Sequence, residues 1–280
     1  MRKTKFVVAL LLILVLAVTA LSGCGAKEKD SSGDANTGGK EEKIVLKVGA
    51  TPVPHAEILN EVKDDLAAEG ITLEVIEFQD YVQPNLSLAD GELDANFFQH
   101  IQYLESFNKD HNLNLVSAGG IHSEPMGIYS NLLKDLTELK NNAQVAIPND
   151  PSNGRRALLL LQEAGLIKVD TSQEEATTRN ITENPKNLKI VEMEAAMLPK
   201  VLDDVEIAVI NTNYALDAGF NPMEDSLFME GKDSPYVNII TVRSGDENKP
   251  AIQKLVKALT SEAMRTFILQ KYEGAVVPDF

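Results

Sequence analysis

IVLKVGATPVPHAEILNEVKDDLAAEGITLEVIEF, residues 44–78, decides the fold class. Ile44, Leu46, Val48 and Ala50 fall on alternate positions, so 44–50 reads as a strand. A helix is predicted over about 55–69, Gly70 punctuates the chain, and 71–78 alternates again as a second strand. Strand, helix and strand in that order predict a parallel pair with a helix packed across it.

The same grammar extends in both directions. A short helix over 84–90, a strand over 94–98, a helix over 101–111 and an extended segment over 113–130 follow. The pattern restarts after Asn131 with a strand at 145–148, turn and cap residues at 149–153, and a helix over 155–164 closed by Gly165. Strands at 188–191 and 207–210 with a helix over 195–203 complete this unit. A return strand at 237–242 and helices over 252–259 and 262–271 end the chain. The class is α/β, with largely parallel sheets and two lobes, one from 44–130 plus 232–280 and the other from 131–231. Ligands in such folds sit beyond the carboxyl ends of strands, so polar residues just after strands are the ones to inspect.

The first 43 residues belong to a different regime. Arg2, Lys3 and Lys5 precede an apolar run from Phe6 to Val18, the order of a signal peptide over 1–23. That run is short for a membrane span, which needs about 20 apolar residues. Leu21-Ser22-Gly23-Cys24 resembles the lipobox of bacterial lipoproteins, and Cys24 is the sole cysteine. Acylation, palmitate included, would hold the chain on the extracytoplasmic face of the cell membrane. Residues 24–43 carry no large apolar side chain and read as a flexible leash.

Composition removes several function classes. The formal net charge is -16, and loss of 1–23 removes three cations and no anion. So acidic a surface repels phosphate backbones, which excludes nucleic acid as a natural partner. No G-x-S-x-G, P-loop or G-x-G-x-x-G occurs, and Ser106-Phe107-Asn108-Lys109 matches S-x-x-K without an accompanying K-T-G. No catalytic residue and no cofactor are therefore expected. His55, His100, His111 and His122 are widely spaced and form no paired ligand motif, so no metal site is expected either.

Three segments are oddly polar for their setting. Residues 94–103 leave a strand and enter a helix with Phe97, Phe98, His100 and Tyr103. Residues 149–156 place Arg155 and Arg156 at a predicted helix start, the unfavourable end of the dipole for a cation. Residues 209–214 set Asn211 and Asn213 directly after an apolar strand. The bland alternatives are aromatic core, capping by Ser152 and Asn153, and a solvated arginine.

Taken together, VGATPVPHAEIL, DYVQPNLSLADGELDANFFQH, NDPSN, RALLLLQEAGLI, AVINTNYA, SPYVNII and GAVVPDF resemble the methionine-binding lipoproteins of ATP-driven importers, the NlpA family. The resemblance runs from about residue 44 to the end. It implies a two-lobed periplasmic-binding-protein fold, type II-like, with a ligand cleft between the lobes. It further implies capture of methionine, most simply the L-form, and delivery to the permease of an ABC importer. Tyr81, Phe98, His100 and Tyr103 fall on the family's pocket segments, Arg156 on its carboxylate-gripping arginine, and Asn211 and Asn238 on its pocket amides. Gln102 stands where proline is frequent, and Arg155 stands beside Arg156 as a rival for the carboxylate. A family member retuned to D-methionine, a methionine-containing dipeptide or another small amino acid is the alternative, and a metal-delivery lipoprotein is a more distant one.

Overall fold

A computed structural model describes residues 44–172, 176–231 and 234–280. The signal peptide, Cys24 and the leash lie outside the described residues. No helix among those described is long and apolar enough to cross a membrane.

Strands β1 (Ile44–Ala50), β2 (Ile71–Glu77), β3 (Ala95–His100), β4 (Leu115–Ser123), β12 (Val237–Arg243) and β13 (Val277–Pro278) make one sheet in the order β13-β4-β12-β3-β1-β2. Strands β5 (Gly127–Tyr129), β6 (Gln144–Pro148), β9 (Lys189–Met193), β10 (Ile207–Ile210) and β11 (Phe228–Met229) make a second, ordered β11-β5-β10-β6-β9. A two-stranded ribbon joins β7 (Lys168–Val169) to β8 (Ile181–Glu183). Each large sheet has its own apolar core. Val48, Ile58, Phe97, Ile240 and Leu255 anchor the first, and Val145, Ile147, Leu158, Leu161 and Val209 the second.

The molecule is α/β and two-lobed as expected, but its sheets are mixed rather than largely parallel. β1 runs parallel to β2 and β3, whereas β12 runs antiparallel to both β3 and β4. The cause is the passage between sheets. The chain leaves the first sheet at the end of β4 and returns on β12, and these strands pair with Val237 opposite Ser123. A strand that comes home beside the one that departed must run the other way. The departure falls at Glu124–Met126, because β5 pairs with β10 and β11 of the second sheet. By sheet membership, residues 127–129 therefore lie across the cleft from the 44–130 segment to which they were assigned.

Two local differences bear on the cleft. The expected helix over 55–69 is interrupted, with separate helical segments at Pro52–Ala56, Glu57–Glu61 and Lys63–Ala68. The expected 155–164 helix begins earlier, at Pro151, and Asp150 caps it by accepting from the Asn153 N–H at 2.8 Å. Proline suits this first position because its missing N–H has no intrahelical partner there anyway. Arg155 and Arg156 consequently sit in the second turn, away from the positive end of the dipole. At that position the helix dipole calls for no bound anion, and any role for Arg156 rests on its contacts.

Candidate ligand-binding site

The end of β3 delivers the first wall. All six β3 residues are buried, and Phe98 and His100, two apart, share a face by the strand period. The helix Ile101–His111 starts immediately afterwards, with the His100 Nδ1 accepting from the Tyr103 N–H at 3.2 Å. An accepting Nδ1 leaves Nε2 to carry the proton, and it donates to Asn153 Oδ1 at 3.2 Å. His100 is neutral: burial, with Arg156 nearby, lowers its pKa to about 3. Tyr81, in the bend after β2, completes an aromatic cluster, its ring centroid 5.7 Å from that of Phe98 and 5.6 Å from that of Tyr103.

The second lobe faces this wall with amides. Asn211 follows β10 directly, and its Nδ2 donates to Asn153 Oδ1 at 2.8 Å. Asn213 Oδ1 accepts from the Tyr81 hydroxyl at 2.5 Å, and the Thr212 hydroxyl donates to the Pro125 carbonyl. The bonds from Tyr81 to Asn213 and from His100 to Asn153 each cross from one sheet to the other, so the cleft is closed. What the two walls enclose is a narrow cavity of about 20 Å³.

All seven residues singled out in the sequence, Tyr81, Phe98, His100, Tyr103, Arg156, Asn211 and Asn238, line that cavity. They come from both lobes and from segments more than a hundred positions apart. Arg155 does not join them; it lines an adjoining recess with Gln102, Ser152 and Tyr236. Gln102 sits within its helix and donates to the Pro235 carbonyl at 3.1 Å.

Arg156 is held more tightly than expected. Nε donates to Glu230 Oε1 at 2.7 Å, and Nη2 to Glu230 Oε2 at 2.5 Å and the Glu124 carbonyl at 2.6 Å. Its guanidinium carbon lies 4.1 Å from the centre of the Tyr236 ring. The paired edge expected to grip a ligand carboxylate is thus given to Glu230, which also accepts from the Met126 N–H at 3.0 Å. A ligand carboxylate would meet Nη1. Arg156 also ties together the two passages between the sheets, one through Glu124 and the other through Glu230 and Tyr236.

Glu124, Asn153, Thr212, Asn213 and Gln99 line the cavity as well and were not among the chosen residues. Asn153, which the sequence offers as a cap, also reaches the cavity. Glu124 follows β4 directly, where a polar residue invites inspection, but reading 113–130 as one extended segment concealed that strand end. Its carboxylate is buried, and Oε1 accepts from His122 Nε2 at 2.7 Å and His55 Nε2 at 3.2 Å. His55 Nε2 also lies 3.2 Å from Asn238 Oδ1, while its Nδ1 accepts from the Thr51 hydroxyl at 2.8 Å. With acceptors at Nε2 and a donor at Nδ1, the His55 proton is on Nε2. Burial lowers the pKa of His55 to about 4 and of His122 to about 3, and it raises that of Glu124.

His55, His122 and Glu124 are also the one grouping among the described residues whose metal-type donor atoms lie within 4.8 Å of one another. Both imidazoles, however, aim an N–H at the same carboxylate oxygen. The point where a cation would sit between them is taken by that oxygen, so the arrangement is a hydrogen-bonded carboxyl group.

The match to known proteins agrees with this geometry. A family model described as NlpA lipoprotein matches residues 46–280. The chain belongs to the NlpA lipoprotein family. Within it, the chain is 43% identical over 263 residues to the D-methionine-binding lipoprotein MetQ of Salmonella typhi, covering 92% of each. A nutrient-binding protein from Burkholderia cenocepacia, solved bound to methionine, is 46% identical with a TM-score of 0.80, over 84% of this chain and 100% of that one. A periplasmic substrate-binding protein of an ABC transporter from Coxiella burnetii is 42% identical, also with a TM-score of 0.80 and the same coverage. The NlpA likeness extends over both lobes and every segment that reaches the cavity.

Proposed function

We propose that this chain is a substrate-binding protein that captures methionine outside the cell membrane and passes it to the permease of an ATP-driven importer. The lobes built on the two sheets would part to admit the ligand and close over it. The observation that carries this reading is a pair of unmet polar atoms. Asn211 Oδ1 and Asn213 Nδ2 are buried, line the cavity and have no hydrogen-bond partner. A buried acceptor and a buried donor left unpaired each cost about 1–3 kcal/mol, a penalty that a polar ligand removes. Arg156 adds a cation for the ligand carboxylate. Tyr81, Phe98 and Tyr103 offer the opposite end, suited to a thioether, whose sulfur–ring contacts contribute about 0.3–1.5 kcal/mol each. The relatives' names and the methionine-bound neighbour support the same ligand, and no turnover chemistry is required of the site.

Titration calorimetry on purified protein tests this. L-methionine binds tightly, and Phe98→Ala weakens it by roughly tenfold or more while leaving a small amino acid such as alanine far less affected. An equal loss for both would refute the side-chain pocket, and a preference for D-methionine or a dipeptide would reassign the ligand.

Anchoring through Cys24 is part of the same proposal, supported by the lipobox and by family membership. Cys24→Ser is expected to move the protein from the membrane fraction to the soluble fraction with binding intact. Retention of that variant in the membrane would instead argue for an uncleaved apolar anchor.

A further inference from the structure

The cavity is lined by one carboxylate, Glu124, and one guanidinium, Arg156, and the latter is ion-paired to Glu230 behind the lining. Glu230 is matched by Arg156 at two hydrogen bonds. Glu124 has no cation so bonded: its partners are the Asn213 backbone N–H and the uncharged His55 and His122, whose ring N–H groups meet one of its oxygens. It nevertheless forms part of the cavity surface. Arg156 acts on this carboxyl group only at a distance, and a buried carboxylate with no ion-paired cation is a costly arrangement that a second cation of the right size would relieve. The cavity's other charged wall already suits an anion, so the missing cation belongs on the same molecule.

We infer that Glu124, held in place by His55 and His122, is the group that receives the α-ammonium of the bound amino acid and makes that ammonium obligatory. This rests on the reading of the cleft as an amino-acid site and adds the group that reads the amine. Asn238 assists by position. It pairs in register with both His100 on β3 and His122 on β4, and its Oδ1 shares the His55 N–H with Glu124. The requirement is then for a primary ammonium beside a carboxylate. A deaminated acid would add a second unbalanced negative charge to the enclosure, and an N-acylated one would place an amide where a charge is needed.

The test is a panel of ligand pairs on the whole protein: methionine against 4-(methylthio)butanoate and N-acetylmethionine, and alanine, leucine and glutamine against their deaminated acids. The wild type is expected to bind methionine on the order of 100-fold or more tightly than 4-(methylthio)butanoate. Glu124→Gln should lose most of the affinity for methionine and compress that ratio toward one, because the variant no longer distinguishes the amine. His122→Leu should narrow the ratio, and His122→Gln, which keeps a donor for the carboxylate, should restore it. The wild-type ratio needs no variant to fold. A wild type that binds methionine and its deaminated acid alike overturns this assignment and leaves the methionine reading standing. A wild type that ignores methionine but shows the ammonium gap with another amino acid does the reverse. Zn2+ alone raising the melting temperature of the wild type but not of Glu124→Gln would give the carboxylate to a metal and also overturn it.

Discussion

Arg156→Ala is expected to abolish methionine binding and to lower the melting temperature as well. The guanidinium is 3% exposed and its partner Glu230 only 12%. Removing one member of a buried pair strands the other, which costs about 3–5 kcal/mol. For a domain of this size that corresponds to a fall of roughly 10 °C. The two effects separate in the double variant Arg156→Ala with Glu230→Ala. Thermal denaturation should recover, because no lone carboxylate remains, whereas calorimetry should still register no binding. Unchanged methionine affinity in the single variant would remove Arg156 from the site.

Acid is the second large lever. His55 titrates near 4 and His100 and His122 near 3 when folded, against 6.5 for an unperturbed imidazole. Between those values the unfolded chain holds more protons, so stability is full above about pH 6.5 and is lost as pH falls toward 4. Each unit of displacement corresponds to about 1.4 kcal/mol, so three such groups outweigh most single contacts in the molecule. Glu124 and Asp150, both raised by burial, act in the opposite sense and soften the slope. Denaturant melts at pH 7.5 and pH 5 should show a marked loss of stability at the lower pH, smaller in His122→Gln. A flat profile would mean that the imidazoles take up protons in the folded protein as readily as in the unfolded chain.

Of the seven cavity-lining candidates, Phe98, His100, Tyr103, Arg156 and Asn211 were legible in short polar interruptions of an apolar pattern, whereas Tyr81 and Asn238 came only from the family resemblance, which also supplied the expected roles. Arg156 was legible as a cation but not as a tethered one. Its partner Glu230 follows a two-residue strand and is 74 positions away in the chain, a separation that no local pattern reports. Glu124 escaped for a different reason. Residues 113–130 contain two strands of different sheets with Pro125 between them, and without a glycine or charge run at the break the segment reads as one. Sheet direction was opaque for a related reason. Alternation of strand and helix predicts parallel pairing locally, but the orientation of β12 is fixed by where the chain re-enters, a property of the tertiary path.

That path has a consequence for how the protein is made. The second sheet is drawn from one uninterrupted stretch, whereas the middle of the first waits for β12, which lies between β3 and β4 and comes from near the carboxyl end. As the chain emerges, the later-encoded half can mature first while its elder neighbour stays unfinished. Until β12 arrives, β3 and β4 present unpaired backbone edges, an aggregation-prone surface on the nascent polypeptide.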